Sequence, residues 1–271
     1  MSEFVPATLQ LYRQALFATW RSLTGNWLLV PAVMILAVLM YAATGLAMGL
    51  GMLGGLLLGV ANAFVVGAFL GLLEQAVLGA RPMVWSDLWD VAGSYFWDVI
   101  TVGFIVWVPL QILELGMQAN PYGPAVVSAV FLLLFILLNP VPELIYQSRA
   151  GASLEILKDS YEFVLENWIE WFLPLVVILA PFGLSFFFSI SSRSGRLIGL
   201  DFFQLLGFPF AVLSQWFQAL GLSSSTAMIL VLCLTPVGTV LMMLFRGHLF
   251  KALTGSSRRQ RLFQRRQSLG T

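Results

Sequence analysis

The chain has 271 residues, 59% of them apolar and only 10% charged, with a net charge of +1. Soluble domains carry roughly a quarter charged residues, so this composition excludes an ordinary water-soluble fold and makes lipid the solvent. One cysteine, Cys233, and one histidine, His248, exclude an intramolecular disulfide and a His/Cys metal cluster.

The N-terminus, Met1 to Pro6, is not basic, and about 20 mixed residues precede the first apolar run, so no cleaved signal peptide is expected. From Ser22 to Leu73 there are 52 residues without Asp, Glu, Lys or Arg. Roughly 20 apolar residues cross a bilayer, so this run holds two spans and a turn. Backbone amides in lipid must be paired internally, and apolar runs of this length without alternation select helices over a barrel. The fold class is therefore all-α integral membrane. Charge-poor windows place six spans, at 27–46, 51–73, 98–116, 124–142, 171–190 and 223–245.

The stretch Thr8 to Trp27 ahead of the first span reads as a short amphipathic helix ending in an aromatic at the membrane edge. In the second span Gly51, Gly55, Gly59, Ala63, Gly67 and Gly71 recur every fourth residue. Such a stripe lets another helix approach to backbone contact, the main source of association in lipid. Its partner is either another span of the same bundle or a second membrane protein, including a second copy. Asn62 falls near the middle of this span, and Glu114 near the outer end of the third. Polar groups at such depth are costly and are the intramembrane candidates for a substrate or ion site. Pro140 and Pro142 bracket the exit of the fourth span, Pro174 and Pro181 lie in the fifth, and Pro236 lies in the sixth. Pro174, Pro181 and Pro236 each remove a helical hydrogen bond and expose a carbonyl, either to a substrate path or as a packing kink.

Amphipathic stretches precede the third and fifth spans as well, Ser86 to Trp97 and Ser153 to Trp168. Trp27, Trp97 and Trp168 stand 70 and 71 residues apart, which suggests a threefold repeat of surface helix plus span pair, in units 1–74, 75–148 and 149–254. In the third surface helix Leu154, Leu157, Tyr161, Val164, Leu165 and Trp168 share one side, and Ser153 is placed as N-cap. Its other faces carry Glu155, Asp159, Glu162, Glu166 and Glu170 against one lysine, Lys158. Like charges four apart cost about 0.2–0.5 kcal/mol each on a solvated helix, so this acidic cytoplasmic face needs an offset. Helices that bind anionic surfaces are typically basic, which makes this one poorly suited to lie alone on such a membrane.

Residues 197–220 are apolar yet carry Asp201, Gln204, Pro209, Gln215 and Gln218, and read as an interfacial or re-entrant segment rather than a seventh span. The tail, 255–271, is a basic cytoplasmic segment expected to be disordered. Its Arg258, Arg259, Arg261, Arg265 and Arg266 can serve as a topology signal, hold anionic lipid, or fold over the acidic helix. With six spans, twelve Lys and Arg lie on one side and only Arg193 and Arg196 on the other, which places both termini in the cytoplasm.

No nucleotide-binding glycine loop, zinc-binding helix or nucleophile elbow occurs, and the longest loops are too short for a soluble catalytic domain. Neither a catalytic site nor a cofactor is expected, and no motif supports nucleic-acid binding. The expected partners are the lipid bilayer, anionic lipid, and a membrane-protein partner or homo-oligomer. The function expected is that of a non-enzymatic scaffold or accessory subunit acting at the cytoplasmic face; the alternative is a small transporter or permease component.

Three features carry a resemblance: Leu16-Phe17 to Asn26-Trp27, the Gly79-Ala80-Arg81-Pro82 link, and Ser153 to Asn167-Trp168. In these the chain resembles the YciC-type polytopic bacterial membrane proteins and the membrane domain found ahead of glycerophosphodiester phosphodiesterases. The resemblance is architectural and implies a six-helix bundle in the bacterial cytoplasmic (inner) membrane. The phosphodiesterase domain is not part of this chain, so that activity is not implied.

Overall fold

A computed structural model of the chain describes residues 4–79, 81–148, 151–179 and 217–255. Among these every regular element is a helix and none is a strand. In chain order they are α1 (Phe4–Gly25), α2 (Leu29–Met48), α3 (Met52–Leu78), α4 (Asp87–Asp90), α5 (Phe96–Met117), α6 (Gly123–Leu137), α7 (Val141–Gln147), α8 (Ser153–Leu179) and α9 (Ser224–Thr254). Five segments are long and apolar enough to cross a membrane: Leu29–Met48, Leu53–Leu78, Phe96–Met117, Gly123–Gln147 and Ser224–Thr254. They coincide with the first four expected spans and the last. The fifth expected span begins within α8, but from residue 180 onward it lies outside the described residues, as do 197–216 and all of the tail beyond Gly255.

The helix α3 organises the bundle. Its second half, from Ala63 to Val77, is almost wholly buried, and it packs against α1, α2, α4, α5, α7 and α9. Two of its glycines set the closeness of that packing. A Cβ at Gly67 would stand 3.0 Å from the backbone of Tyr95 and Phe96, and one at Gly71 would stand 2.9 Å from Val91 Cβ. Contact with α2 falls on Gly54, outside the stripe, where the backbone of Ala47 lies against the glycine.

Three expected boundaries are revised. The segment Ser86 to Trp97 forms only the single turn α4, because Gly93 then takes φ +86, a conformation open chiefly to glycine, and turns the chain into α5. The fourth apolar segment, Gly123–Gln147, is not one continuous helix: α6 stops at Leu137 and a separate short helix, α7, starts at Val141 after Pro140, because a proline ring removes a donor and disfavours helix in the residue before it. The last helix continues to Thr254, so Arg246, His248 and Lys251 are helical rather than part of a loop. Ser153, expected as an N-cap, is the first residue of α8, and its hydroxyl meets that of Thr101 on α5 at 2.7 Å.

Candidate functional site

At one end of the bundle, where α1, α7, α8 and the end of α9 meet, the broken backbone of the fourth span supplies acceptors and side chains from distant elements fill them. Helix α6 ends at Leu137, so its last carbonyls lack helical donors. Ser160 on α8 donates to the Leu137 carbonyl at 2.7 Å. Two residues on, the carbonyl of Asn139 accepts from Arg246 Nη2 at 2.7 Å. The same logic operates at Pro174 in α8. A proline there cannot donate to the carbonyl four residues back, Glu170, and the Tyr12 hydroxyl of α1 donates to it instead at 2.8 Å. The carbonyl that the sequence offered to a substrate path is thus taken by a surface helix.

Arg246 and Glu143 form the centre of this junction. Glu143 is fully buried in the first turn of α7, where the helix N-terminus favours an anion. Arg246 meets it with a fork: Nε to Oε1 at 2.7 Å and Nη2 to Oε2 at 2.8 Å. Bidentate geometry of this kind combines charge with fixed orientation. The guanidinium carbon also lies 5.1 Å from the Trp171 ring centroid, within cation–π range. Trp171 Nε1 in turn donates to Asn139 Oδ1 at 2.9 Å, so one asparagine receives both the arginine and the tryptophan. Phe163 and Phe250 stack beside them, with centroids 4.6 Å apart.

Around this centre further polar links join α1 and α7 to α9, and the turn before α5 to α3. Ser22 and His248 meet at 2.8 Å; Gln147 Nε2 donates to the Gly247 carbonyl at 2.9 Å; Tyr95 donates to Glu74 Oε2 at 2.7 Å. Gly247 permits the crossing, since a Cβ there would strike the Tyr146 hydroxyl and Val77. The loop after α3 is held by Asp87, which is buried, accepts from Val84 N at 2.9 Å and pairs with Arg81 at 2.7 Å. The Val84 amide first, and then Arg81, hold its carboxyl below the ordinary range against the opposing effect of burial. Asn26 accepts from Met83 N at 2.9 Å and donates to the Ser22 carbonyl four residues back. Asn167 makes the corresponding bond to Phe163 at the non-helical kink of α8.

The residues singled out from the sequence fall elsewhere. In the small-residue stripe, Ala63, Gly67 and Gly71 are buried, whereas a Cβ at Gly51, Gly55 or Gly59 would meet nothing within 4 Å. Asn62 is half-buried in the middle of α3. Glu114 is half-buried near the far end of α5, with Gln111 Nε2 at 3.5 Å. On α8 Glu155, Glu162 and Glu166 are exposed and Asp159 is half-exposed, with Lys158 Nζ 3.6 Å from Glu162. So exposed a pair contributes little. Arg258, Arg259, Arg261, Arg265 and Arg266 lie outside the described residues.

Sequence reasoning overlooked Tyr12, Asn139, Glu143, Trp171 and Arg246. The available signal was the pair of prolines next to Glu143, which announces free carbonyls, together with the first arginine after the last apolar run. Comparisons with protein-family models, with curated proteins and with solved structures return no match.

Proposed function

We propose that this protein is a non-enzymatic scaffold or accessory subunit of the bacterial inner membrane. In this reading six spans, three surface elements and a basic tail form one polytopic domain with both termini in the cytoplasm, and partners are engaged from that side. The observation that carries the reading is the use of the polar side chains: Tyr12, Ser22 and Ser160 fasten the two long surface helices to the bundle, and Trp171 and Arg246 tie the spans to one another at the same end through Asn139 and Glu143. A rigid platform at the membrane surface is what such fastening provides. The reading keeps the cytoplasmic assignment after Arg246 and Lys251 are removed from the loop count, because ten basic residues still face two. The threefold repeat is supported by the matching Asn26 and Asn167 bonds at the junction between surface helix and span.

The test is purification from native membranes in mild detergent, with and without residues 255–271, followed by mass spectrometry of co-purifying proteins and lipids. A stoichiometric protein partner, weakened or lost with the tail, is the expected result. Absence of any partner, together with solute flux in proteoliposomes, would replace this reading with a transporter. One observation favours that second reading: the Tyr146 hydroxyl and Gln75 Oε1 are buried without a hydrogen-bond partner among the described residues.

A further inference from the structure

The two long surface helices each divide into three sectors, and the order of the sectors is the same. On α1, Thr8, Leu11, Ala15 and Thr19 are buried, on the helix that packs mainly against α9. Gln10, Gln14 and Arg21 form an exposed polar sector, and between the two, spaced by about two turns and then one, stand Leu9, Leu16 and Trp20. On α8, Ile156, Ser160, Phe163, Val164 and Asn167 are buried, and Glu155, Glu162 and Glu166 form the charged sector. Between these lie Leu154, Tyr161, Leu165 and Trp168, all exposed. The apolar side read from the sequence is therefore this lateral sector plus the half-buried Leu157 and the buried Val164, and the face toward the bundle is a second one. At about 100° per residue, both helices run from buried to lateral apolar to polar in the same rotational sense.

We infer that the lateral sectors of α1 and α8 are seated in the headgroup and upper acyl region of the bilayer, so that the lipid interface itself is the partner of these faces. The inference rests on the membrane orientation proposed above. Exposed apolar sectors of this size mark an interaction surface, and two facts identify the occupant. First, beyond the Asn167 kink α8 goes on to expose Leu173, Val176 and Val177, so the chain leaves the surface helix with apolar side chains outward. On α1 the sector likewise leads through the exposed Trp27 into α2, which exposes Met34, Val38 and Tyr41. Second, the sectors carry Trp20, Tyr161 and Trp168, with Arg21 lying over Phe17 at 5.4 Å. Amphipathic rings and snorkelling arginines are the residues that suit a boundary between hydrocarbon and water.

This seating also answers how an acidic helix sits beside a membrane. An interfacial helix held only by electrostatics needs basic charge. Here α8 is anchored to the bundle by its buried face and enters the boundary sideways, which leaves Glu155, Glu162 and Glu166 turned to water. Attraction to anionic lipid is not required.

The test uses the full chain with Cys233 replaced by alanine, reconstituted in phosphatidylcholine vesicles. Single cysteines at Trp20→Cys and Leu165→Cys carry nitroxide labels, compared with Gln14→Cys and Glu162→Cys; Leu9→Cys and Tyr161→Cys serve as second members of each sector. Collision with oxygen, which concentrates in lipid, is measured against collision with a water-soluble nickel chelate. The expected oxygen-to-nickel ratio is several-fold higher at residues 20 and 165 than at 14 and 162. Equal access to the chelate at all four would overturn the inference, because the sectors would then face water. Shielding of 20 and 165 from both reagents would overturn it too, by showing that protein covers them. Neither result depends on whether a protein partner co-purifies, so failure here and failure of the scaffold reading are separable.

Discussion

Replacing Glu143 with leucine tests whether the junction is held by its ion pair. Glu143 is fully buried and the Arg246 side chain retains 17% exposure, so loss of the carboxylate leaves a guanidinium poorly solvated, with one carbonyl and one ring for compensation. Breaking a buried pair from one side typically costs about 3–5 kcal/mol, because the surviving charge is uncompensated. Arg246→Met should cost a similar amount, since it strands the Glu143 carboxylate and also frees the Asn139 carbonyl, itself worth roughly 1–3 kcal/mol when buried unpaired. The double variant Glu143→Leu/Arg246→Met removes both charges and fills the space with apolar volume. It is expected to be far less damaging than the sum of the singles, because apolar replacement of a buried pair is often neutral or stabilising by about 1–4 kcal/mol. Reversible denaturation of the detergent-solubilised protein, read as a double-mutant cycle, measures the coupling. Singles costing under about 1 kcal/mol, or a double equal to their sum, would refute the assignment of this pair as the centre of the junction.

Other predictions concern neighbouring contacts. Gly67→Ala should destabilise by about 1–3 kcal/mol through overpacking against the Tyr95–Phe96 backbone, whereas Gly59→Ala meets open space and should be neutral or gain up to about 1 kcal/mol of helix propensity; thermal melts ranking them the other way would contradict the packing. Tyr12→Phe should cost about 1 kcal/mol by freeing the Glu170 carbonyl, and Pro174→Ala should lessen that cost by restoring the helical donor; an undiminished loss in the double variant would show that the carbonyl is not the point of contact. The Asp87 carboxyl lies below its ordinary 3.8, so its contribution is present above about pH 4 and is lost as acid drives the pH down through the folded value. Asp87→Asn should therefore lower stability by about 1 kcal/mol at neutral pH and flatten the acid limb of the melting profile; a profile unchanged in shape would exclude Asp87 as its source.

The spans were legible because their signal is local. Twenty apolar residues in succession suffice, and Leu29–Met48, Leu53–Leu78 and Phe96–Met117 required nothing more. Helix ends were less legible, since a window closes at the first charge while a backbone continues until its hydrogen bonding fails; α9 passes Arg246 by eight residues for this reason. The junction was hidden because it joins Glu143 to Arg246 across 103 positions, and no periodicity within either segment reports a partner in the other. The stripe in α3 was visible as a pattern, but not where it would be filled. Gly67 and Gly71 receive the chain around Val91–Phe96, a turn that the sequence suggested would be a helix of three turns.

The prolines connect these observations to the choice between functional readings. In a membrane a proline inside a span is tolerated only where another group satisfies the carbonyl it frees. A transporter leaves such carbonyls to a substrate or to water. Here the carbonyl of Glu170, which Pro174 frees, is taken by Tyr12, and those of Leu137 and Asn139, at the break between α6 and α7, are taken by Ser160 and Arg246, from elements 23 to 158 residues away in sequence. These breaks therefore act as sockets: two of them receive a surface helix, through Ser160 and Tyr12, and one receives the last span, through Arg246. That arrangement requires irregular backbone at one end of the spans and regular helix elsewhere, which is where α6, α7 and α8 place it. Opening a path through this end would break at least one of these bonds, whereas binding at the outer faces of α1 and α8 would break none. The energetic bias thus lies toward a closed end, which is what the proposed scaffold role would require.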